Sequence, residues 1–227
     1  LMTAGLDSIP GGGAEILDDE VRRRIAPLKC STDEWLTVMR AAHEKGLRST
    51  ATLMFGVGEE SRHRVNHLLR LRELQDATRG FTAFICWPFQ PANTRLAPSD
   101  GSAHAYLRTN ALARLVLDNV PNLQASWVTM GGGVAQASLH MGCNDFGSVM
   151  IEENVVSAAG TAFSMDSEEV ERHIRDAGSP LRCALGDAQG EADHGQQEQL
   201  ARPGAAHHAQ ERRHEAVVAP DPALDPA

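Results

Sequence analysis

Apolar positions along this chain recur in two rhythms. Over residues 31–46 (STDEWLTVMRAAHEKG), Leu36, Met39 and Ala42 return at helical intervals. Ser31 stands three residues before Glu34, the capping-box spacing, and Gly46 supplies a stop, so the pattern predicts a helix. Residues 47–55 (LRSTATLMF) instead alternate and carry β-branched side chains, which predicts a strand closed by Gly56-Val-Gly-Glu-Glu60. A second helix is expected over about 61–76, where Val65, Leu68, Leu69 and Leu71 are apolar among charges. Gly80 then opens FTAFICWPFQP, the near-continuous apolar run of a strand covered on both faces. Further on, the reading is a helix over 104–119, a strand in NLQASWVTM, a turn at Gly131-Gly132-Gly133, a short helix over 134–141 and an extended segment over 144–151.

Strand and helix alternating in this way is the grammar of a parallel α/β sheet, and a barrel or half barrel is expected. Chemistry in such folds collects at the carboxyl ends of the strands. Polar and glycine residues fall where those ends are expected: Asp7 and Ser8, Gly56 and Glu59, Gln90 and Asn93, Ser126 and Thr129, and Asn144 and Asp145. The triple glycine in GLDSIPGGGAEI is not a phosphate cradle. It lacks the Gly-Lys-Ser/Thr ending of a P-loop and the G-x-G-x-x-G spacing of a dinucleotide fold. It says only that the backbone needs positive φ or a close approach there, with Glu15 a further candidate side chain beside it.

Composition narrows the partners. A formal charge of −9 over 227 residues gives no electrostatic footprint for nucleic acid, and no polybasic membrane anchor is present. With no apolar run of spanning length and no signal-peptide layout, the expected location is cytoplasmic. Cys30, Cys86, Cys143 and Cys183 form no C-x-x-C pair and read as separate thiols. From residue 178 the chain has no Phe, Trp, Tyr, Ile or Met, and Ala, Gly, Pro, Gln and His crowd in. Such a segment buries too little apolar area to offset its ordering entropy, so residues 178–227 are expected to be a disordered tail after a folded unit over 1–177. The histidines of that tail and His43, His63, His67 and His140, expected on helix surfaces or ends, are given no chemistry.

The stretches AGLDSIPGGGAEIL, PLKCSTDEWLTVMRAAHEKGLRSTATLMFG, HLLRLRELQDATRGFTAFICWPFQPANTRL, YLRTNALARLVLDNVPNLQASWVTMG and NDFGSVMIEENVVSAAG resemble, in succession, the cyclic dehypoxanthinyl futalosine synthases. These are radical S-adenosylmethionine (SAM) enzymes of the futalosine route to menaquinone. The resemblance runs from about residue 4 to residue 177. It implies a radical SAM (βα) barrel in which a [4Fe-4S] cluster binds SAM and cleaves it to a 5′-deoxyadenosyl radical. That radical takes hydrogen from the sugar-derived part of dehypoxanthine futalosine, and the sugar radical then closes onto the benzoate ring. The family holds its cluster by C-x-x-x-C-x-x-C, since three thiolates leave one iron for SAM; this sequence has no such motif. Aligned on the family, Leu1 falls at the helix before the fourth barrel strand. The expectation is therefore an incomplete C-terminal half of the barrel, truncated or frameshifted and inactive alone, its edges covered by a missing N-terminal half or by self-association.

The same resemblance implies roles. Asp7, Ser8, Gly56, Glu59 and Gln90 are expected to contact SAM, and Ser126, Thr129, Asn144, Asp145 and Glu153 the substrate. Trp87 and Phe89 are candidates for ring stacking, and no metal ligand is assigned. Two other readings stay open: an aminofutalosine or deazaflavin-forming radical SAM fragment, and a non-catalytic remnant.

Overall fold

The computed structural model describes residues 2–97, 100–150, 155–160, 163–183 and 216–218. Five strands run parallel in one sheet whose order follows the chain: β1 (Ser8–Ile9), β2 (Arg48–Phe55), β3 (Phe81–Pro88), β4 (Asn122–Gln124) and β5 (Asp145–Gly147). Beyond β5 the sheet continues through two antiparallel strands, β6 (Leu181–Cys183) and β7 (Ala216–Val218), in the order β5-β7-β6. Most of the segment expected to be a disordered tail lies outside the described residues.

The crossovers carry α1 (Asp19–Ile25) and α2 (Thr32–Glu44) between β1 and β2, then α3 (Ser61–Thr78), α4 (Ala103–Val116), and the pair α5 (Trp127–Met130) and α6 (Gly132–Leu139). After β5 come α7 (Val155–Ala158) and α8 (Ser167–Asp176). Because strand order follows sequence order and parallel crossovers are right-handed, the crossover helices fall on one face, as in a β/α barrel opened along one side. The core lies between that helix layer and the sheet. Leu53, Phe55, Phe84, Leu123 and Phe146 from the strands are fully buried there with Leu68, Leu71, Tyr106 and Trp127 from the helices. Strand residues that alternate with these, Thr50 and Met54, Ile85 and Trp87, Gln124 and Asp145, lie on the opposite face and are half-buried.

Local chemistry sets the element ends. Ser31 and Glu34 make the reciprocal capping box that the sequence announces, and Asp166 with Glu169 makes another at α8, a helix that, like α1, the sequence pattern does not announce. The helix α3 runs past residue 76 to Thr78, where Arg79 turns left-handed at φ 51°. The predicted strand NLQASWVTM is shorter than expected. Only Asn122–Gln124 are extended, and Trp127–Met130 turn into helix, because the Ser126 N–H is taken by the Tyr106 hydroxyl at 2.8 Å rather than by a neighbouring strand. Gly131 caps a helix that Gly132 and Gly133 already belong to, so the predicted glycine turn is a helix start.

Three histidines expected at the surface are buried. His43 is 7% exposed, its ring nitrogens 2.8 Å from the hydroxyls of Thr78 and Ser49. His63 and His67 lie on the inward face of α3 beside Leu68 and Leu71. Each ring has a polar partner at Nδ1, which offsets part of the cost of burial, while Nε2 of His63 and of His67 makes no hydrogen bond.

Phe84 lies on a central strand with no exposed surface, so Phe84→Ala should lower stability by about 3–5 kcal/mol. Urea titration of the 227-residue chain and its variant measures this; a loss below about 1 kcal/mol would place Phe84 outside a packed interior.

Candidate functional site

The carboxyl ends of β1, β2, β3 and β4 form one rim, and the loop after β1 is its most elaborately held part. Gly11 donates its N–H to the Thr50 hydroxyl at 2.9 Å, and its carbonyl accepts from the Thr52 hydroxyl at 2.8 Å. A Cβ on Gly11 would sit 2.2 Å from the Thr50 carbonyl oxygen, so only glycine permits this approach. The next carbonyls are gathered by Arg22 of α1, a guanidinium that is 3% exposed. It donates to Gly13 at 3.2 Å and to the carbonyls of Ala14 and, from the other side, Cys30. The Trp35 indole N–H donates to the Gly12 carbonyl at 3.2 Å. The triple glycine thus presents carbonyls inward to protein donors, the reverse of a phosphate cradle.

His67 closes the loop from the other side. Its Nδ1 accepts the Leu17 N–H at 2.9 Å, which requires a neutral ring with the proton on Nε2. Burial pushes its pKa down to about 3, the Arg22 guanidinium adds to that, and the Thr52 backbone opposes it.

At the end of β2, Gly56 has φ 85°, and the backbone of Asp100 and Gly101 packs 3.5 Å from where its Cβ would be. Glu59 turns inward: its side chain is fully buried and accepts from the N–H groups of Gly56 at 2.9 Å and Val57 at 2.8 Å. The charge is answered by Arg64 of α3, whose Nη2 lies 2.6 Å from the carboxylate. Arg64 also donates to the Thr109 hydroxyl of α4 at 3.1 Å and lies over the Phe55 ring at 4.6 Å. One ion pair therefore joins the end of β2 to two helices.

The remaining expected site residues divide. Gln90, after β3, is half-buried and donates to the Pro88 carbonyl at 3.1 Å. Ser126 and Thr129 meet through their hydroxyls at 2.8 Å at the end of β4. With Gly56 these share the rim. Asp7 and Ser8 do not: Ser8 is in register with Arg48, so both open β1 at the far edge of the sheet and are exposed. They were expected at the carboxyl end of the strand, but the chain continues alongside β2 beyond them, with Gly11 bonded to Thr50 and Thr52. Asn144 also lies at the far edge, where its Oδ1 accepts from Arg114 at 2.9 Å and from the Leu123 N–H at 2.8 Å. Asp145 sits on β5 opposite Gln124 and accepts the Gly147 N–H at 2.8 Å. Glu153 lies outside the described residues.

A cavity of about 490 Å³ opens at this rim beneath the loop after β3. Met54, Phe89 and Leu96 give it apolar walls, and Arg24, Lys29 and Arg95 bring positive charge, which the sequence reading did not single out. Another, of about 480 Å³, lies among Arg48, Gln75 and Asn122 at the opposite edge, away from the end where α/β enzymes place their chemistry.

Metal ligation is poorly served among the described residues. Asp18, Glu20 and His63 bring ligand atoms within 4.8 Å of one another. Yet His63 Nδ1 accepts the Glu60 N–H at 2.9 Å, so Nε2, the atom facing the carboxylates, carries the proton and has no lone pair to give. The thiols fare no better as iron ligands. Cys86 and Cys143 are buried, and burial pushes the first well above the ordinary thiol range and the second up to about 12. A bound metal displaces a thiol proton, so placement decides: among the described residues no group of three potential ligand side chains includes a cysteine. Cys30 is exposed and stands apart.

The order of the sheet, the helices on one face and the polar rim define an α/β chain of the barrel kind. Residues 78–189 match the family described as the CofH/MqnC C-terminal region. The cyclic dehypoxanthine futalosine synthase of Halalkalibacterium halodurans is 51% identical over 184 residues, covering 78% of this chain and 48% of that protein. The enzyme of the same name from Streptomyces coelicolor is 47% identical over 176 residues, covering 77% and 44%. The aminodeoxyfutalosine synthase of Thermus thermophilus is 43% identical over 185 residues, covering 78% and 50%. The chain belongs to this CofH/MqnC radical SAM family and corresponds to its C-terminal region. It spans about half the length of the curated relatives it matches.

His67 makes the rim sensitive to acid. Its folded pKa of about 3 lies below the ordinary histidine value of 6.5, so the unfolded chain binds the proton more tightly. Stability is then full above pH 6.5 and drains away as pH falls toward 3. Between pH 8 and pH 5 the loss from this group should be about 2 kcal/mol, and His67→Gln should flatten it. Urea midpoints at the two pH values measure the effect, and equal midpoints for the parent chain would refute a buried neutral His67.

Proposed function

We propose that this chain is the C-terminal part of a cyclase of the futalosine pathway, acting on dehypoxanthine futalosine in menaquinone biosynthesis. The observation that supports this above the alternatives is the 51% identity with the Halalkalibacterium halodurans cyclase, against 43% with the Thermus thermophilus aminodeoxyfutalosine synthase over a similar span. The family's cofactors are SAM and an iron–sulfur cluster. Cys30, Cys86 and Cys143 do not gather at one point among the described residues, so none of them is given the cluster. SAM, when bound and given one electron by the cluster, would supply hydrogen-atom abstraction from an unactivated carbon.

The chain's own part in this reading is to hold and orient. Gln90 and the Gly56 loop offer an amide and close backbone approach to a nucleoside, and Ser126 with Thr129 offers hydroxyls to a polyol substrate. Glu59 contributes by fixing the Gly56 loop rather than by touching a ligand, since its oxygens are already occupied by Gly56, Val57 and Arg64. Trp87 and Ile85, half-buried on the face away from the helices, line an apolar floor that limits water beside a reactive carbon centre.

The test is a graft. Residues 4–177 of this chain replace the matching half of the Halalkalibacterium halodurans enzyme, and the purified chimera is loaded with its cluster. It should convert dehypoxanthine futalosine to its cyclic product and leave the substrates of aminodeoxyfutalosine synthase untouched. A folded, cluster-loaded chimera that turns over only those other substrates, or none, would overturn the assignment.

A further inference from the structure

We infer that Asn93 is a positioning residue: its side-chain amide ties the loop after β3 to the loop after β5, so that the two are held as one unit across the end of β4. This deepens the proposed function and rests on its reading of the strand-end rim as the substrate side. Asn93 stands at φ 62°, a left-handed backbone that asparagine tolerates better than most residues with a side chain. From there its Nδ2 donates to the Ala158 carbonyl of α7 at 2.8 Å, across 65 positions of sequence. A second contact lies beside it. Gly160 has φ 89°, and a Cβ on it would sit 3.0 Å from the Ala92 Cβ, so a side chain there would strain the backbone and crowd the loop after β3.

The order of the sheet says what the tie spans. Because β4 lies between β3 and β5, a bond between the loops that follow those two strands crosses the end of β4, where the hydroxyls of Ser126 and Thr129 meet. Further along the loop after β5, the Phe163 ring packs against Gly131 at the start of α6, where an added Cβ would sit 2.9 Å from the ring. The loop after β5 therefore bears on both neighbouring loops. Gln90 stands at the base of the first of them and Thr129 just before Gly131 in the second, so fixing the loops fixes side chains offered to the ligand. Asn93 and Ala158 are exposed, so water competes for their bond. A hydrogen bond of that kind biases a local equilibrium by about two- to tenfold and adds little to folding.

Amide exchange followed by NMR on the full 227-residue chain tests the tie from both sides. Thr94 and Gly160 are the reporters, since each N–H bonds within its own turn, to the Pro91 carbonyl at 3.1 Å and the Ser157 carbonyl at 2.9 Å. Asn93→Gly removes the amide and leaves the left-handed backbone unstrained. It should speed exchange at Gly160 by about two- to tenfold. Asn93→Asp sets a carboxylate against the Ala158 carbonyl and should act at least as strongly. Gly160→Ala disturbs the contact from the other loop and should speed exchange at Thr94, which a merely local role for either residue would not do. Leu53, inside β2, should exchange as in the parent chain in every variant. Unchanged exchange at Gly160 in Asn93→Gly, or at Thr94 in Gly160→Ala, would overturn the tie. In the graft, Asn93→Gly should raise KM for dehypoxanthine futalosine by about two- to tenfold with kcat held, whereas lost fold would lower kcat and leave KM alone. An active graft whose KM ignores Asn93→Gly would overturn the positioning role. The exchange measurement uses neither SAM nor cluster, so an inactive graft with the exchange effects intact would sink the cyclase reading alone.

Discussion

A buried guanidinium governs how this chain builds its functional edge. Taking Arg22 out of water costs several kcal/mol unless its donors are satisfied. Here they are satisfied by main-chain carbonyls of the loop after β1 and of Cys30. The loop must therefore curl so that its carbonyls converge on α1, and a run of three glycines is the sequence that lets it do so. That curl presses Gly11 against β2 and leaves Leu17 to donate to His67 on α3. One charge thus sets the path of a loop that in turn ties β1, α1, β2 and α3 to one another.

The other half of the rim follows the same logic with the sign reversed. Glu59 is an anion without exposed surface, and it is satisfied by two backbone N–H groups and Arg64. Arg64 passes the constraint on to Thr109 of α4, and Tyr106 of the same helix fixes the end of β4 through Ser126. The helix layer is therefore more than a hydrophobic cover. Its buried polar side chains reach through to the strand ends and determine where the rim residues stand, which a layer of aliphatic packing alone would leave less defined.

Much of the scaffold was legible from pattern, and the reasons for the exceptions are specific. The capping box at Ser31, the alternation of β2 and the apolar run of β3 are local signals, and each element stands where its signal put it. The end of β4 was misread because Trp127 and Val128 have strand propensity, whereas a single hydroxyl from Tyr106 turns the chain at Ser126. Asp7 and Ser8 were assigned to the wrong end of β1 because two paired residues give no readable boundary. The inward histidines of α3 read as surface groups, since periodicity counts them as polar and cannot see a waiting N–H. The family was legible through long contiguous stretches, but the basic cavity was not. Arg95 is far in sequence from Arg24 and Lys29, and only the crossover geometry brings it to them.

Hydrogen exchange at single amides tests this account at its centre. Leu17, Gly56 and Val57 lie outside helices and strands, yet their N–H groups point at His67 and Glu59 inside the protein. Exchange measured by NMR on the intact chain should find these three protected to a degree comparable with Leu53 in the middle of β2. Exchange at the rate of open surface amides would show that the rim is not held from the helix layer, and the account would fail there.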